Sequence, residues 1–188
     1  MKMCSSSIPY KLGLSPLSPQ IQVISPMYKG VVGVDNLNAE LQARLNPGGE
    51  GLQVGARVFR ARDKVMQVRN DYDKDVFNGD IGSVLHVDRA KYRLYVDFDG
   101  RTVCYEKDEL ADVTLAYAVS VHKAQGSEFP AVLLVLTTHH FLLLQRNLLY
   151  TALTRGRRLV VLLGTKQALA MAIKNDKPVR RYPDLANK

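Results

Sequence analysis

The run Ala131 to Leu136, AVLLVL, limits the possible folds more than any other stretch of the chain. Six apolar residues without polar alternation make the pattern of a strand covered on both faces. Such strands belong to parallel sheets with helices packed against them. Leu148, Leu149, Ala152 and Leu153 follow at helical spacing, so a helix is expected near 145–155. A second apolar strand is expected from Leu159 to Leu163, ending at Gly164. Thr165 can cap a last helix carrying Ala168, Leu169, Ala172 and Ile173, with Pro178 as its stop. Upstream, Ile21 to Ile24 reads as a strand closed by Ser25-Pro26. Asp35 is the expected N-cap of a helix striped by Leu37, Leu41 and Leu45 and stopped by Asn46-Pro47-Gly48-Gly49. Strands alternating with helices at this spacing imply an α/β fold with a parallel sheet.

From Val54 the period changes. Lys91 to Phe98 alternates strictly, with Tyr92, Leu94, Val96 and Phe98 on one side. Asp99-Gly100 is a hairpin turn, and RTVCY returns as the partner strand. Asn78-Gly79-Asp80 turns into IGSVLHV, and ARVFRA and VMQVRN also read as strands. So many short strands imply a small antiparallel barrel inserted in the parallel-sheet unit. After Glu109 a helix is expected, with Leu115, Val119 and His122 on one face and Gly126 as its stop. The expected organisation is a flexible leader 1–20, a sheet unit from 21–53 plus 111–175, the barrel 54–110, and a polar tail 176–188.

The chain is globular in composition, at 46% hydrophobic and 23% charged residues. No apolar run approaches the roughly 18 residues that span a bilayer, so no membrane span is expected. Cys4 and Cys104 form neither a disulfide framework nor a metal pattern, which points to a reducing, cytoplasmic setting. His139 and His140 lack carboxylate or cysteine partners at ligand spacing, so no metal site is expected. The formal net charge is +8, and it is uneven. Residues 54–110 hold 11 basic and 11 acidic residues, whereas 111–188 hold 11 basic and 4 acidic. A focused basic field suits a phosphate-bearing partner, although a solvated basic face gives the same count.

Two polar motifs flank the apolar run, and a loop before a buried strand can meet an arginine at a helix end at one sheet edge. Arg155, in Thr-Arg-Gly-Arg-Arg, offers a guanidinium fork that suits phosphate oxygens. Arg155, Arg157 and Arg158 could equally serve the negative end of a helix. Glu128 follows Gly126-Ser127, where small residues let backbone N–H groups approach a ligand, and its carboxylate could accept ribose hydroxyls or simply charge the next element. His122 and Lys123 could touch a nucleic-acid backbone, and a lone His is also an ordinary packing residue. The phosphate-binding pattern G-x-x-x-x-G-K-[ST] occurs nowhere, so a nucleotide bound here would need its main grip and its Mg²⁺ site from elsewhere.

Three stretches together, VISPMYKGVVGVDNLNAELQARLNP, AYAVSVHKAQGSEFPAVLLVL and NLLYTALTRGRRLVVLLG, resemble the carboxyl-terminal part of RecD-like superfamily 1 DNA helicases, which include the exodeoxyribonuclease V alpha subunit. Relaxase-linked and Pif-type helicases carry similar stretches, and FNGDIGSV favours the RecD-like branch. The resemblance implies a second RecA-like motor domain with an inserted SH3-like barrel. It implies an ATP and Mg²⁺ site completed by a first RecA-like domain that carries the P-loop and the metal ligands. SPMYKG corresponds to the family's motif IV, with Lys29 as the phosphate contact where the family more often has Arg. AYAVSVHKAQGSE corresponds to motif V: Ser120, His122 and Lys123 would face single-stranded DNA, and Gly126 and Glu128 the nucleotide. NLLYTALTRG corresponds to motif VI, with Arg155 as the arginine finger. The implied protein is an ATP-dependent helicase of which this chain alone is inactive. The competing expectations are a non-enzymatic nucleic-acid module and a protein-interaction piece with a partner at the barrel.

Overall fold

The computed structural model describes residues 20–176. The expected leader and tail, apart from Gln20 and Asp176, and Pro178 lie outside the described residues. Strand β1, Ile21–Ser25, opens the chain, and helix α1, Val34–Leu45, follows. Six strands come next: β2 Gly51–Val54, β3 Arg57–Arg60, β4 Lys64–Gln67, β5 Ile81–Asp88, β6 Arg93–Phe98 and β7 Arg101–Tyr105. Then come β8 Val113–Leu115, β9 Ala118–Ser120, β10 Phe129–Leu136, α2 Arg146–Leu153, β11 Gly156–Gly164 and α3 Lys166–Lys174.

The AVLLVL run lies inside β10, second in a four-stranded parallel sheet of order β11-β10-β1-β9. Val132, Leu134 and Leu136 share a core with Leu149 and Ala152 of α2 and Ala168 and Ala172 of α3. Thr165 caps α3, its side chain accepting from the Ala168 amide at 3.1 Å. The other sheet is antiparallel, of order β7-β6-β5-β4-β8, and the β2–β3 hairpin shares its core to close a small barrel. Leu94, Val96 and Phe98 are buried in alternation along β6, as the period-two pattern requires. Asp99 and Gly100 sit at φ 50° and 90°, the left-handed pair that a two-residue hairpin turn demands.

Residues 113–121 overturn the expected helix. Val113 and Leu115 point inward beside the half-buried Thr114 in β8, antiparallel to β4, and Ala116 to Val121 is buried throughout. The chain therefore passes from the barrel sheet through Ala116-Tyr117 into β9, which runs parallel to β1. The i, i+4, i+7 spacing of Leu115, Val119 and His122 coincides with helical periodicity. The β-branched Val113, Thr114, Val119 and Val121 instead suit two short buried strands. The N-cap of α1 is Gly33 rather than Asp35, which lies in the first turn, where its charge favours the helix dipole. A Cβ at Gly33 would lie 2.4 Å from the carbonyl oxygens of Tyr28 and Lys29, so only glycine fits there.

The buried face of α1 is mostly polar: beside Val34 it carries Asn38, Gln42 and the C-cap Asn46. Asn38 acts as a substitute strand beside β9, donating to the Ala118 carbonyl at 3.0 Å and accepting from its N–H at 2.8 Å. Gln42 and Asn46 donate to the fully buried Asp63 carboxylate at 2.5 and 2.7 Å. The Tyr117 hydroxyl donates to it at 2.8 Å and the Arg60 amide at 2.7 Å. Burial, reinforced by Asp63, pushes the Tyr117 hydroxyl above its usual pKa. Nearby Lys64, only 2% exposed, donates to the Ile21 carbonyl at 2.9 Å, with its Nζ 5.9 Å from the Phe129 ring centre. No helix among the described residues is long and apolar enough to cross a membrane.

Asp63 faces donors only. Asp63→Ala strands them and should cost about 3 kcal/mol in urea unfolding. Asp63→Asn should also destabilise clearly, because its amide N–H₂ must face another donor. Burial pushes the Lys64 ammonium from 10.5 down to about 7. The unfolded chain then binds the extra proton between those values, so stability should rise with pH from 7 towards 9.5. Lys64→Met should flatten that rise in denaturation curves taken at both pH values.

Candidate functional site

The polar motif before β10 is a crossover. β9 ends at Ser120, paired with Ser25 at the carboxyl end of β1, while β10 starts beside Gln20 at the opposite end of the same sheet. Residues 121–128 bridge that length without a helix. Val121 and Ala124 pin the segment to the core, and successive turns close through Ala124 N–H to Ser120 O at 3.0 Å and Ser127 N–H to Ala124 O at 3.2 Å. Gly126 turns the chain at φ 87°.

At the carboxyl end, the Ser120 and Tyr28 hydroxyls lie 3.1 Å apart, and the Ser120 hydroxyl accepts from the Lys123 amide at 3.2 Å. The Lys123 ammonium reaches across to the barrel and donates to Asn78 Oδ1 at 2.7 Å. His122 is exposed beside it. Lys29 is exposed on the loop after β1, at this same end.

At the amino end, Gly126, Ser127 and Glu128 meet the exit of α2. Arg155 follows its C-cap Thr154, and the Arg155 carbonyl accepts from the Phe129 amide at 2.8 Å. Its guanidinium donates to Thr151 O, Ser127 O and Thr154 Oγ1, each at 3.1 Å. All three acceptors are neutral. The side chain is therefore oriented while its charge stays uncompensated by any carboxylate among the described residues. Arg157 differs: its Nε bonds the Glu128 carboxylate as an ion pair, 69% and 45% exposed on the two sides.

The expected residues thus separate into two groups. Ser120, His122, Lys123 and Lys29 share the carboxyl end of the sheet, and Gly126, Glu128 and Arg155 share the amino end. The loop and the arginine do meet at one edge, but it is the amino edge of β10 and β11 rather than the carboxyl edge where open α/β sheets usually bind ligands. Lys29 does not join Glu128 and Arg155. Arg157 and Arg158 sit on β11 and not at the helix end. Among the described residues no group of three or more His, Cys, Asp or Glu could hold a metal ion.

Residues 37–98 match the SH3 domain of ATP-dependent RecD-like DNA helicases. Residues 115–163 match the C-terminal domain of UvrD-like helicases. The chain belongs with the carboxyl-terminal part of the RecD-like superfamily 1 helicases. It is 44% identical over 160 residues to the ATP-dependent RecD2 DNA helicase of Deinococcus radiodurans, covering 85% of this chain and 22% of that protein. It is 31% identical over 146 residues to the RecBCD enzyme subunit RecD of Mycolicibacterium smegmatis, covering 77% of this chain and 25% of that protein. The chain thus spans about a quarter of these relatives' length. The crystal structure of Bacteroides Pif1 bound to ssDNA matches with a TM-score of 0.58 at 23% identity, over 80% of this chain and 42% of that one. At that identity the likeness is one of fold.

Within this RecD-like chain the sequence reading missed Tyr28, Asn78 and Arg157. The sequence places Asn78 in a turn, and only the fold brings it to Lys123. The signal for Arg157 was the basic cluster itself, whose members separate only once β11 is seen to begin at Gly156.

Proposed function

We propose that the chain is the second motor half of an ATP-dependent DNA helicase acting in the cytoplasm, with Arg155 as its arginine finger. The RecA-like unit is then residues 21–50 with 116–175 and the inserted SH3-like barrel 51–115, rather than the expected 54–110, because β2 and β8 pair and pack with the barrel strands. The observation that carries this reading is the state of Arg155: half-buried, oriented by three neutral acceptors, and without a carboxylate. The contacts to Thr151 O and Thr154 Oγ1 also serve the helix end; the contact to Ser127 O ties the guanidinium to the Glu128 edge, and its charge, with no carboxylate beside it, remains free for a phosphate. Glu128 stands at the same edge, and its exposed pair with Arg157 is weak enough to exchange for ribose hydroxyls.

ATP with Mg²⁺ is held chiefly by a first RecA-like domain, which supplies the P-loop and the metal ligands. Arg155 and Glu128 reach that nucleotide as the halves close. Gly126 lets the backbone approach it. Lys29, at the other end of the sheet, is the weakest member of the nucleotide set. The crossover 121–128 joins this edge directly to Ser120, His122 and Lys123, which hold single-stranded DNA. Closure at one end therefore moves the contacts at the other, and hydrolysis releases them. DNA recombination and repair are the proposed setting for this work, supported by the likeness to a RecD subunit of a RecBCD enzyme.

Two measurements test the reading. In the full-length protein, Arg155→Ala should lower the DNA-stimulated kcat by roughly 10³-fold while leaving DNA affinity nearly unchanged, and Arg155→Lys should restore it only in part. The 188-residue chain alone should show no turnover. Normal kcat in Arg155→Ala, or steady hydrolysis by the chain alone, overturns the assignment. Separately, the chain should bind single-stranded DNA with an affinity that falls steeply with salt, and Lys123→Ala should reduce the salt slope by about 1. Salt-independent binding removes this surface from the DNA path.

A further inference from the structure

Three aromatic rings stand in solvent along one hydrogen-bonded line. Tyr28 is 49% exposed, Phe77 40% and Tyr72 77%. Tyr28 meets Ser120, and the Ser120 hydroxyl takes the Lys123 amide. The Lys123 ammonium binds Asn78, the residue after Phe77. The Asn78 backbone N–H donates to Asn70 Oδ1 at 2.9 Å, and Asn70 Nδ2 donates to the Tyr72 hydroxyl at 3.3 Å. The line starts at the carboxyl edge of the parallel sheet and ends on the barrel loop between β4 and β5.

That loop is stiff. Asp71 and Val76 exchange backbone hydrogen bonds of 2.8 and 3.0 Å, and the Val76 side chain is fully buried. The Phe77 amide donates to Asp80 at 2.9 Å. Tyr72 and Phe77 pack edge to face, with ring centres 6.0 Å apart at 75°. Rings held this way lose little freedom when a ligand stacks on them. The loop is also acidic. Lys74 pairs Glu109 at 2.5 Å and lies 3.9 Å from Asp71, and Arg101 pairs Asp75, while Asp73 and Asp80 have no ion-pair partner among the described residues. A phosphate gains nothing there, so what the loop offers is ring faces.

We propose that Tyr28, Phe77 and Tyr72 form a stacking lane for the bases of single-stranded DNA, with Lys123 holding the phosphates between them. This rests on the DNA-binding role proposed above for Ser120, His122 and Lys123. Aromatic faces interleaved with a cation are the general means of gripping a single strand without reading its sequence. The lane carries the strand from the motor sheet onto the barrel, and it divides the labour: charge on the sheet side, stacking on the barrel side.

Fluorescence anisotropy on the 188-residue chain tests this, using labelled oligo(dT) and an abasic deoxyribose-phosphate strand of equal length over a salt series. Tyr72→Ala should weaken oligo(dT) binding roughly 5-fold, leave the abasic strand unaffected and leave the salt slope unchanged. Tyr72→Phe should retain wild-type affinity, because the ring face is kept. Lys123→Ala should weaken both strands and lower the slope. If Tyr72→Ala binds oligo(dT) like the wild type while Lys123→Ala does not, the lane is wrong and the DNA-binding surface stands. Equal losses on both strands for Tyr72→Ala also overturn the lane. If the wild-type chain binds neither strand, the lane and the DNA-binding role fall together.

Discussion

The Asp63 carboxylate takes hydrogen bonds from two amides of helix α1, from Tyr117 and from the Arg60 backbone. Those donors come from the helix after β1, the barrel hairpin, and the segment that leaves the barrel for β9. One buried charge therefore fixes the angle between barrel and parallel sheet. An apolar contact at the same point would hold the parts together but would not set their orientation, since apolar packing is not directional. Lys64, the next residue, reaches the Ile21 carbonyl and reinforces the same junction from the barrel side. The position of Asn78 against Lys123 depends on this junction.

The crossover is the second constraint. Parallel strands are commonly joined through a helix, and a helix would have separated the two polar groups by a compliant layer. Here the connection is a tight sequence of turns pinned by Val121 and Ala124. Ser120 at one end and Glu128 at the other belong to one short piece of backbone. Displacement at the arginine edge has few internal degrees of freedom in which to be lost.

Legibility in the sequence followed the physical range of each signal. The AVLLVL run, the alternation along β6, the Asp99-Gly100 turn and the Thr165 cap depend on local periodicity or on one residue's backbone preference, and all four were readable. Residues 113–121 were not, because their helical spacing arises by coincidence within two strands of three residues each. The polar stripe Asn38, Gln42, Asn46 stood in the sequence at helical spacing, yet the leucines beside it drew the reading. Its purpose becomes visible only when Asp63 arrives from a distant strand. The residues of the candidate site were legible as types. Their division between two sheet ends was not, since it depends on where β10 starts relative to β9.

Asn38 has a consequence for how the parallel sheet can grow. By satisfying the Ala118 N–H and carbonyl with a side-chain amide, it closes the β9 edge as a neighbouring strand would. Among the described residues the opposite edge, β11, has no strand beyond it. Among the described residues, it is there that a further strand from a longer chain, or from a misfolded neighbour, would find pairing partners. Arg158, exposed at the start of β11 and without an ion-pair partner among the described residues, makes the approach of a second identical edge electrostatically costly. The sheet is thus one-sided in its capacity to extend, and its open side is guarded by charge.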